Sequence, residues 1–291
     1  MQDTLRRFLT RADLAVAAHG RLAGSALTGL WVAGDLGGLA APTVAVVGTR
    51  APSEDGRRLA RQLARDLGAA GVCVLSGLAL GIDAAAHGGA LEAGAPTIGV
   101  LGGGHDRFFP PRNAELARRI IAGGGAVLSP YPPDHPAYPW QFLARNGIVA
   151  ALADAVVVVE AAARSGALNT ASWAADRAIP VMACPGDVGR PKVAGCLSLI
   201  RDGATLVRDA ADVLAELGIA TPAMSAAEPA RAADPRDAGI LAALGNGPAD
   251  ADTMVAASAL PPALALARIG DLLASGTIVN GSDGRFRRST P

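Results

Sequence analysis

Residues 43–77 read TVAVVGTRAPSEDGRRLARQLARDLGAAGVCVLSG. Two short apolar runs, TVAVVG (43–48) and VCVLSG (72–77), are each closed by glycine. They enclose one amphipathic stretch, GRRLARQLARDLGAAG. An apolar, β-branched run without alternation suits a strand buried on both faces, and the stretch between suits a crossover helix. The same unit recurs outward. PTIGVLGGG (96–104), GAVLSP (125–130), AVVVVE (155–160), PVMACPG (180–186) and ATLV (204–207) are further strand candidates, with helical stretches such as NAELARRIIAGGG between them. Alternation at this spacing implies right-handed crossovers and a doubly wound, mostly parallel α/β sheet over residues 43–217.

The flanks read differently. Residues 1–42 are weakly patterned and are expected to form a short helical leader, with a helix over 3–18 and then a connector. They are too few for an independent core. Residues 218–236 are rich in Ala and Pro without apolar periodicity and read as a linker. Residues 237–291 restart a pattern: a helix near 238–244, one after Asp250, and a third across PPALALARIGDLLASG. TIVNG and GRFRRS follow, split by a turn at Gly281–Gly284, which gives the outline of a small winged-helix domain.

Composition bounds the function. The chain has 291 residues, 26 basic against 26 acidic, so a generally basic nucleic-acid coat protein is excluded. The zero is a cancellation: residues 43–201 hold 15 basic and 12 acidic residues, whereas residues 202–284 hold 4 and 11. Lys192 is the single lysine. Six of the ten aromatic rings fall between Phe108 and Phe142. Cys73, Cys184 and Cys196 form no C-x-x-C pair, so neither a disulfide framework nor a metal site is supported, and Cys73 and Cys184 read as small core residues. No long charge-free apolar run or secretory signal is present, so a cytoplasmic protein without a membrane span is expected.

In open parallel sheets, ligands sit at the carboxyl ends of the strands. Those ends here carry Gly48-Thr49-Arg50, Ser76-Gly77, Gly102-Gly103-Gly104, Ser129, Arg164-Ser165-Gly166 with Asn169 and Thr170, and Pro185-Gly186 with Lys192 beyond. Small and hydroxyl residues leading into helices present backbone N–H groups to anions. Several such ends in one sheet, with Arg50, Arg164 and Lys192 nearby, favour a ligand with several phosphates. Gly48 is not followed by x-G-x-x-G and no G-x-x-x-x-G-K-[ST] occurs, so neither a dinucleotide cofactor nor a P-loop is indicated. YPPDHPAYPWQFLARNG (131–147) clusters rings outside any periodic element. Tyr131 and Trp140 are expected to plug this loop onto the domain. Phe142, close to Arg145 and Asn146, is the stacking candidate for single-stranded nucleic acid. His87, four residues after Asp83, is expected to cap or pack its helix, and an Asp/His pair without a nucleophile or metal partner makes no catalytic set. Glu160 is placed to orient a neighbouring loop or to act as a base. No nucleophile, base and oxyanion site assemble together.

VAVVGTRAPSEDG, VLSGLALGIDAAAHGGALEAGAPTIGVLGGG, RNGIVAALADAVVVVEAAARSGALNTA and CPGDVGRPKVAGCLSLIRDGA resemble, in order and spacing, the DNA-processing protein DprA (Smf) family over about residues 43–207. The tail resembles the winged-helix module of many members. The resemblance implies an extended Rossmann-like domain that binds single-stranded DNA without hydrolysing it. It also implies a homodimer, and loading of the RecA recombinase during natural transformation. Carried over by position, the family's phosphate pocket falls on Gly48, Arg50, Ser76, Gly77, Ser165, Gly166 and Asn169, with a further basic contact at Lys192. Its base-stacking ring falls on Phe142, and its R-N pair on Arg145 and Asn146. Three positions depart from the pattern: Gly147 replaces a second basic residue, Glu54-Asp55 replaces a tyrosine-containing pair, and Pro130 replaces a glutamate.

Two other readings compete. A phosphoribohydrolase-like enzyme on a similar sheet would carry P-G-G-x-G-T-x-x-E, and the corresponding SGALNTA lacks the double glycine and the glutamate. A duplex-reading winged-helix regulator is disfavoured by the acidic tail, whose third helix offers only Arg268 to a groove. Arg285, Arg287 and Arg288 are left as wing contacts.

Overall fold

The computed structural model describes residues 6–17, 20–22, 27–219, 237–245, 247–274, 277–281 and 284–288. The chain divides into two units, Met1–Pro222 and Ala223–Pro291.

The first unit is built on one nine-stranded sheet. Seven strands are parallel: β3 (Thr43–Val47), β4 (Cys73–Ser76), β5 (Thr97–Val100), β6 (Ala126–Ser129), β7 (Ala155–Val158), β8 (Val181–Ala183) and β9 (Thr205–Leu206). Each falls inside one of the seven apolar runs. Their helices are α2 (Glu54–Ala69), α3 (Ile82–Glu92), α4 (Ala114–Ala122), α5 (Pro139–Leu152), α6 (Gly166–Ala175), α7 (Ala194–Arg201) and α8 (Ala210–Glu216). Alternation along the strands sends side chains to opposite faces. Val44 and Val46 pack with residues of α2, α3 and α8, whereas Ala45 and Val47 pack with residues of α5 and α6. Val127 meets Ala117 and Ile120 of α4. Helices therefore cover both faces, as a doubly wound sheet requires.

The N-terminal flank corrects the helical-leader expectation. Its described residues include β1 (Arg6–Thr10), a short helix α1 (Arg11–Ala17) and β2 (Gly29–Gly34). β1 pairs antiparallel with β2, and β2 antiparallel with β6, so the flank extends the sheet past β6. Leu14, Leu22, Leu30 and Val32 are buried in the main core. A segment too short for its own core finds one by adding strands to an existing edge.

All three cysteines are free and buried. Burial pushes the Cys73 and Cys184 thiols up to about 12 and Cys196 up to about 11. No single helix among the described residues is long and apolar enough to cross a membrane.

In the second unit, α9 (Ala238–Ala243), α10 (Ala251–Ala257) and α11 (Pro262–Ala274) precede an antiparallel pair, β10 (Ile278–Asn280) and β11 (Phe286–Arg288). Ile240, Met254, Ile269 and Ile278 form its core. Asp250 caps α10 by accepting from the Thr253 N–H at 2.8 Å. This is the element order expected of a winged helix. The expected linker, apart from its first two residues (218 and 219), lies outside the described residues.

Candidate nucleic-acid interface

The strand order is β1-β2-β6-β5-β4-β3-β7-β8-β9. Successive crossovers run one way from β3 and the other way from β7. The loops leaving these two neighbours diverge and open a crevice at their carboxyl ends. One lip follows β3 and the other follows β7, and Glu160 stitches them together. Its carbonyl accepts from the Thr49 N–H at 2.7 Å, and its buried carboxylate accepts from the Ser53 N–H at 2.8 Å. Of the two roles open to Glu160, the loop-orienting one is what its contacts describe. Ser53 then caps α2, accepting from the Gly56 N–H at 3.0 Å. Gly56 leaves room for that carboxylate: a Cβ there would lie 2.4 Å from a Glu160 carboxylate oxygen and would push it off the Ser53 N–H.

A cleft of about 270 Å³ opens between the β3 lip, the loop after β4, α5 and the start of α6. Gly48, Arg50, Gly77, Phe142, Arg145, Asn146, Ser165 and Gly166 all line it. These come from segments up to 118 positions apart, Gly48 to Gly166, and the strand-end rule brings them together. Arg50 is exposed at the rim, with its guanidinium over the Phe142 ring at 5.3 Å from the centroid. Ser165 caps α6 by accepting from the Ala167 N–H at 3.3 Å, so the positive end of that helix faces the cleft.

Three expected residues stand outside the lining. The Ser76 side chain is buried and donates to the Val46 carbonyl at 2.7 Å, tying β4 to β3. Asn169 sits behind Asn146, whose amide donates to it at 3.3 Å and to the Gly166 carbonyl at 3.1 Å. Lys192 is exposed in the turn before α7, beside a second cleft lined by Ser53, Glu160, Gly186, Arg190 and Val193.

Arg145 has a structural task instead of an open contact. It is buried, donates to the Val100 carbonyl at 2.6 Å and to the Gly77 carbonyl, and lies near the buried Asp83. A Cβ at Gly77 would run into its guanidinium. Burial lowers its pKa to about 10, and Asp83 opposes that shift. Burial raises the Asp83 carboxyl above the usual carboxylate value, against the pull of Arg145 and of the N–H groups of Ala79 and Gly77, which donate at 3.3 and 3.1 Å. Sequence reasoning missed this pair. Asp83 turns to the strand-end loop, while His87 turns the other way, its Nδ1 2.8 Å from the Thr97 hydroxyl.

The aromatic loop is also less closed than expected. Tyr131 stacks on His135 (4.8 Å, 12°), but Trp140 meets Tyr131 only edge-on and stays 62% exposed, so it plugs nothing. Gly147 lies under the Trp173 indole, 3.3 Å from where a Cβ would stand. Glu54 and Asp55 are balanced at the start of α2 by Arg57 and Arg58, each three residues on.

A family model described as DNA recombination-mediator protein A matches residues 21–218. The chain belongs to this family, that of the DprA (Smf) proteins. A putative DNA processing protein DprA of Mycobacterium tuberculosis is 40% identical over 277 residues, covering 93% of this chain and 71% of that protein. Protein Smf of Escherichia coli is 42% identical over 188 residues, 65% of this chain and half of the relative. The solved DprA of Streptococcus pneumoniae superposes with a TM-score of 0.66 at 37% identity, over 74% of this chain and 75% of the other. The Helicobacter pylori DprA, described for a unique single-stranded DNA binding mode, gives 0.64 at 28% identity, over 74% and 96%. The family is one of recombination mediators and not of enzymes.

Proposed function

We propose that this chain is a single-stranded DNA-binding recombination mediator that protects incoming DNA and loads RecA onto it in natural transformation, acting in the cytoplasm as a homodimer. The observation that carries the reading is the exposed Arg50 lying over Phe142 at the mouth of a cleft faced by the start of α6. A cation on a ring beside a helix N-terminus suits a phosphate and its neighbouring base, and it favours single strands, whose bases are free to stack. In this reading Gly48, Gly77, Ser165 and Gly166 bring backbone to the phosphates, and Asn146 and Asn169 shape the wall. Lys192 extends the positive track. Arg145 adds charge from the buried floor of the cleft, and Ser76 acts through the β3–β4 junction.

The second unit is assigned to protein contact or self-contact instead of duplex reading. Arg268 of α11 is already paired with Asp237 at 2.6 Å and Asp271 at 3.2 Å. The loading step is tested by RecA-driven strand exchange on single strands already coated with a single-strand-binding protein. Exchange should start sooner when the chain is added, and an unchanged lag would contradict loading.

A further inference from the structure

The loop between β5 and α4 carries DRFFPPRN at 106–113, two rings flanked by two arginines. It is tied to the cleft. The buried Asn113 donates to the carbonyls of Leu78 at 2.9 Å and Ala79 at 3.0 Å, in the strand-end loop that also supplies Gly77. The Phe109 ring meets Phe142 at 5.6 Å between centroids, tilted by 52°, yet leaves 49% of its surface exposed. Phe142 is the more covered ring, with Arg50 over it and Gly102 against it. Phe108 points the other way, into the cluster under α4. Arg107 and Arg112 are exposed, and neither has an ion-pair partner among the described residues. The loop's own carboxylate, Asp106, is taken by Arg6 at 2.7 Å.

A half-exposed ring in contact with a stacking candidate, between two uncommitted guanidiniums, has the chemistry of a base platform with phosphate clamps. We propose that residues 106–113 form the second half of the single-strand interface. Phe109 stacks the nucleotide next to the one at Phe142, and Arg107 and Arg112 hold the phosphates on either side. This rests on reading the Arg50 cleft as a single-strand site.

The test is fluorescence anisotropy of a labelled oligo-dT against salt, with wild type, Phe109→Leu, Phe109→Tyr, Arg107→Gln with Arg112→Gln, and Arg50→Ala. Leucine keeps an apolar side chain against Phe142 but removes the π face. It should weaken binding roughly 5- to 150-fold with the salt slope intact. Tyrosine should keep wild-type affinity, which separates stacking from a packing defect. The double arginine variant should lower the log–log salt slope by about 1.4, roughly 0.7 for each phosphate no longer held. If Arg50→Ala weakens binding while Phe109→Leu and the double variant match wild type, the inference is overturned, and the patch is left to a protein partner. If wild type fails to bind, or Arg50→Ala changes nothing, the cleft reading falls and this inference with it.

Discussion

Replacing Arg145 with methionine asks whether the deepest cation of the cleft holds the fold together. The guanidinium is 3% exposed, donates to the carbonyls of Gly77 and Val100, and offsets the charge of the buried Asp83. Methionine keeps much of the volume but leaves both carbonyls and the carboxylate without that partner. An orphaned buried acceptor costs roughly 1–3 kcal/mol, and the buried carboxylate loses a nearby opposing charge besides. One side chain serves all three groups, so the costs do not simply add, and about 2–5 kcal/mol is the expected loss. With a urea m-value of about 2 kcal/mol/M, the midpoint should fall by roughly 1–2.5 M. Tryptophan emission is the assay, because Trp31, Trp140 and Trp173 all belong to the first unit and report on it alone.

The deficit should also depend on pH. Burial raises the Asp83 pKa above 3.8, so the folded state binds this proton more tightly than the unfolded chain. This group's contribution to stability therefore falls as pH rises from 3.8 through the raised folded value. Arg145 lowers that folded value, so its removal widens the window. The loss in Arg145→Met is largest at neutral pH and shrinks toward pH 3.8. Adding Asp83→Asn should recover part of it. An unchanged midpoint, or a deficit that ignores both pH and Asp83→Asn, would refute the structural role given to Arg145.

Arg50→Ala with Lys192→Ala should weaken single-strand binding and lower the salt slope by about 0.7 for each phosphate the variant releases, with the urea midpoint unmoved. A preserved slope would remove both residues from the track. Phe142→Ala should weaken binding by roughly 1–3 kcal/mol with the slope intact. Equal affinity would make the ring a packing group. His87 is buried and its pKa is pushed down to about 3, chiefly by burial and then by Arg145. Its contribution is intact above pH 6.5 and is lost as pH falls toward 3, with a slope of up to about 1.4 kcal/mol per unit. His87→Gln should flatten the acid limb of the stability profile, and a superimposable profile would mean the imidazole ionises without penalty.

The parallel sheet was legible because its strands are buried on both faces. That leaves uninterrupted runs such as AVVVVE bounded by small residues, and all seven became strands. β2 carried the same signature in GLWVAG, a glycine-bounded apolar run, but it stood apart from any β–α alternation. RRFLT of β1 gave no signal, because its edge position leaves two of its central residues exposed. The cleft was legible through the rule that ligands meet a parallel sheet at its strand ends, which picks out Gly48, Arg50, Gly77 and Ser165 from sequence alone. Arg145 and Asn146 are adjacent in sequence, but one faces the interior and the other the rim, and adjacent letters on a helix do not disclose which way each turns. Phe109 was hidden for a related reason: two neighbouring phenylalanines read alike, and the fold buries one and exposes the other.

The grip of the β3–β7 cleft on single-stranded DNA is what the proposed function requires. It is tested most directly by measuring the affinity of the intact chain for one oligonucleotide, single-stranded and then annealed to its complement, at the same salt. The single strand should bind tighter, by about tenfold or more, with the preference lost in Arg50→Ala combined with Phe142→Ala. Equal or tighter binding of the duplex, or a preference that survives both substitutions, would contradict it.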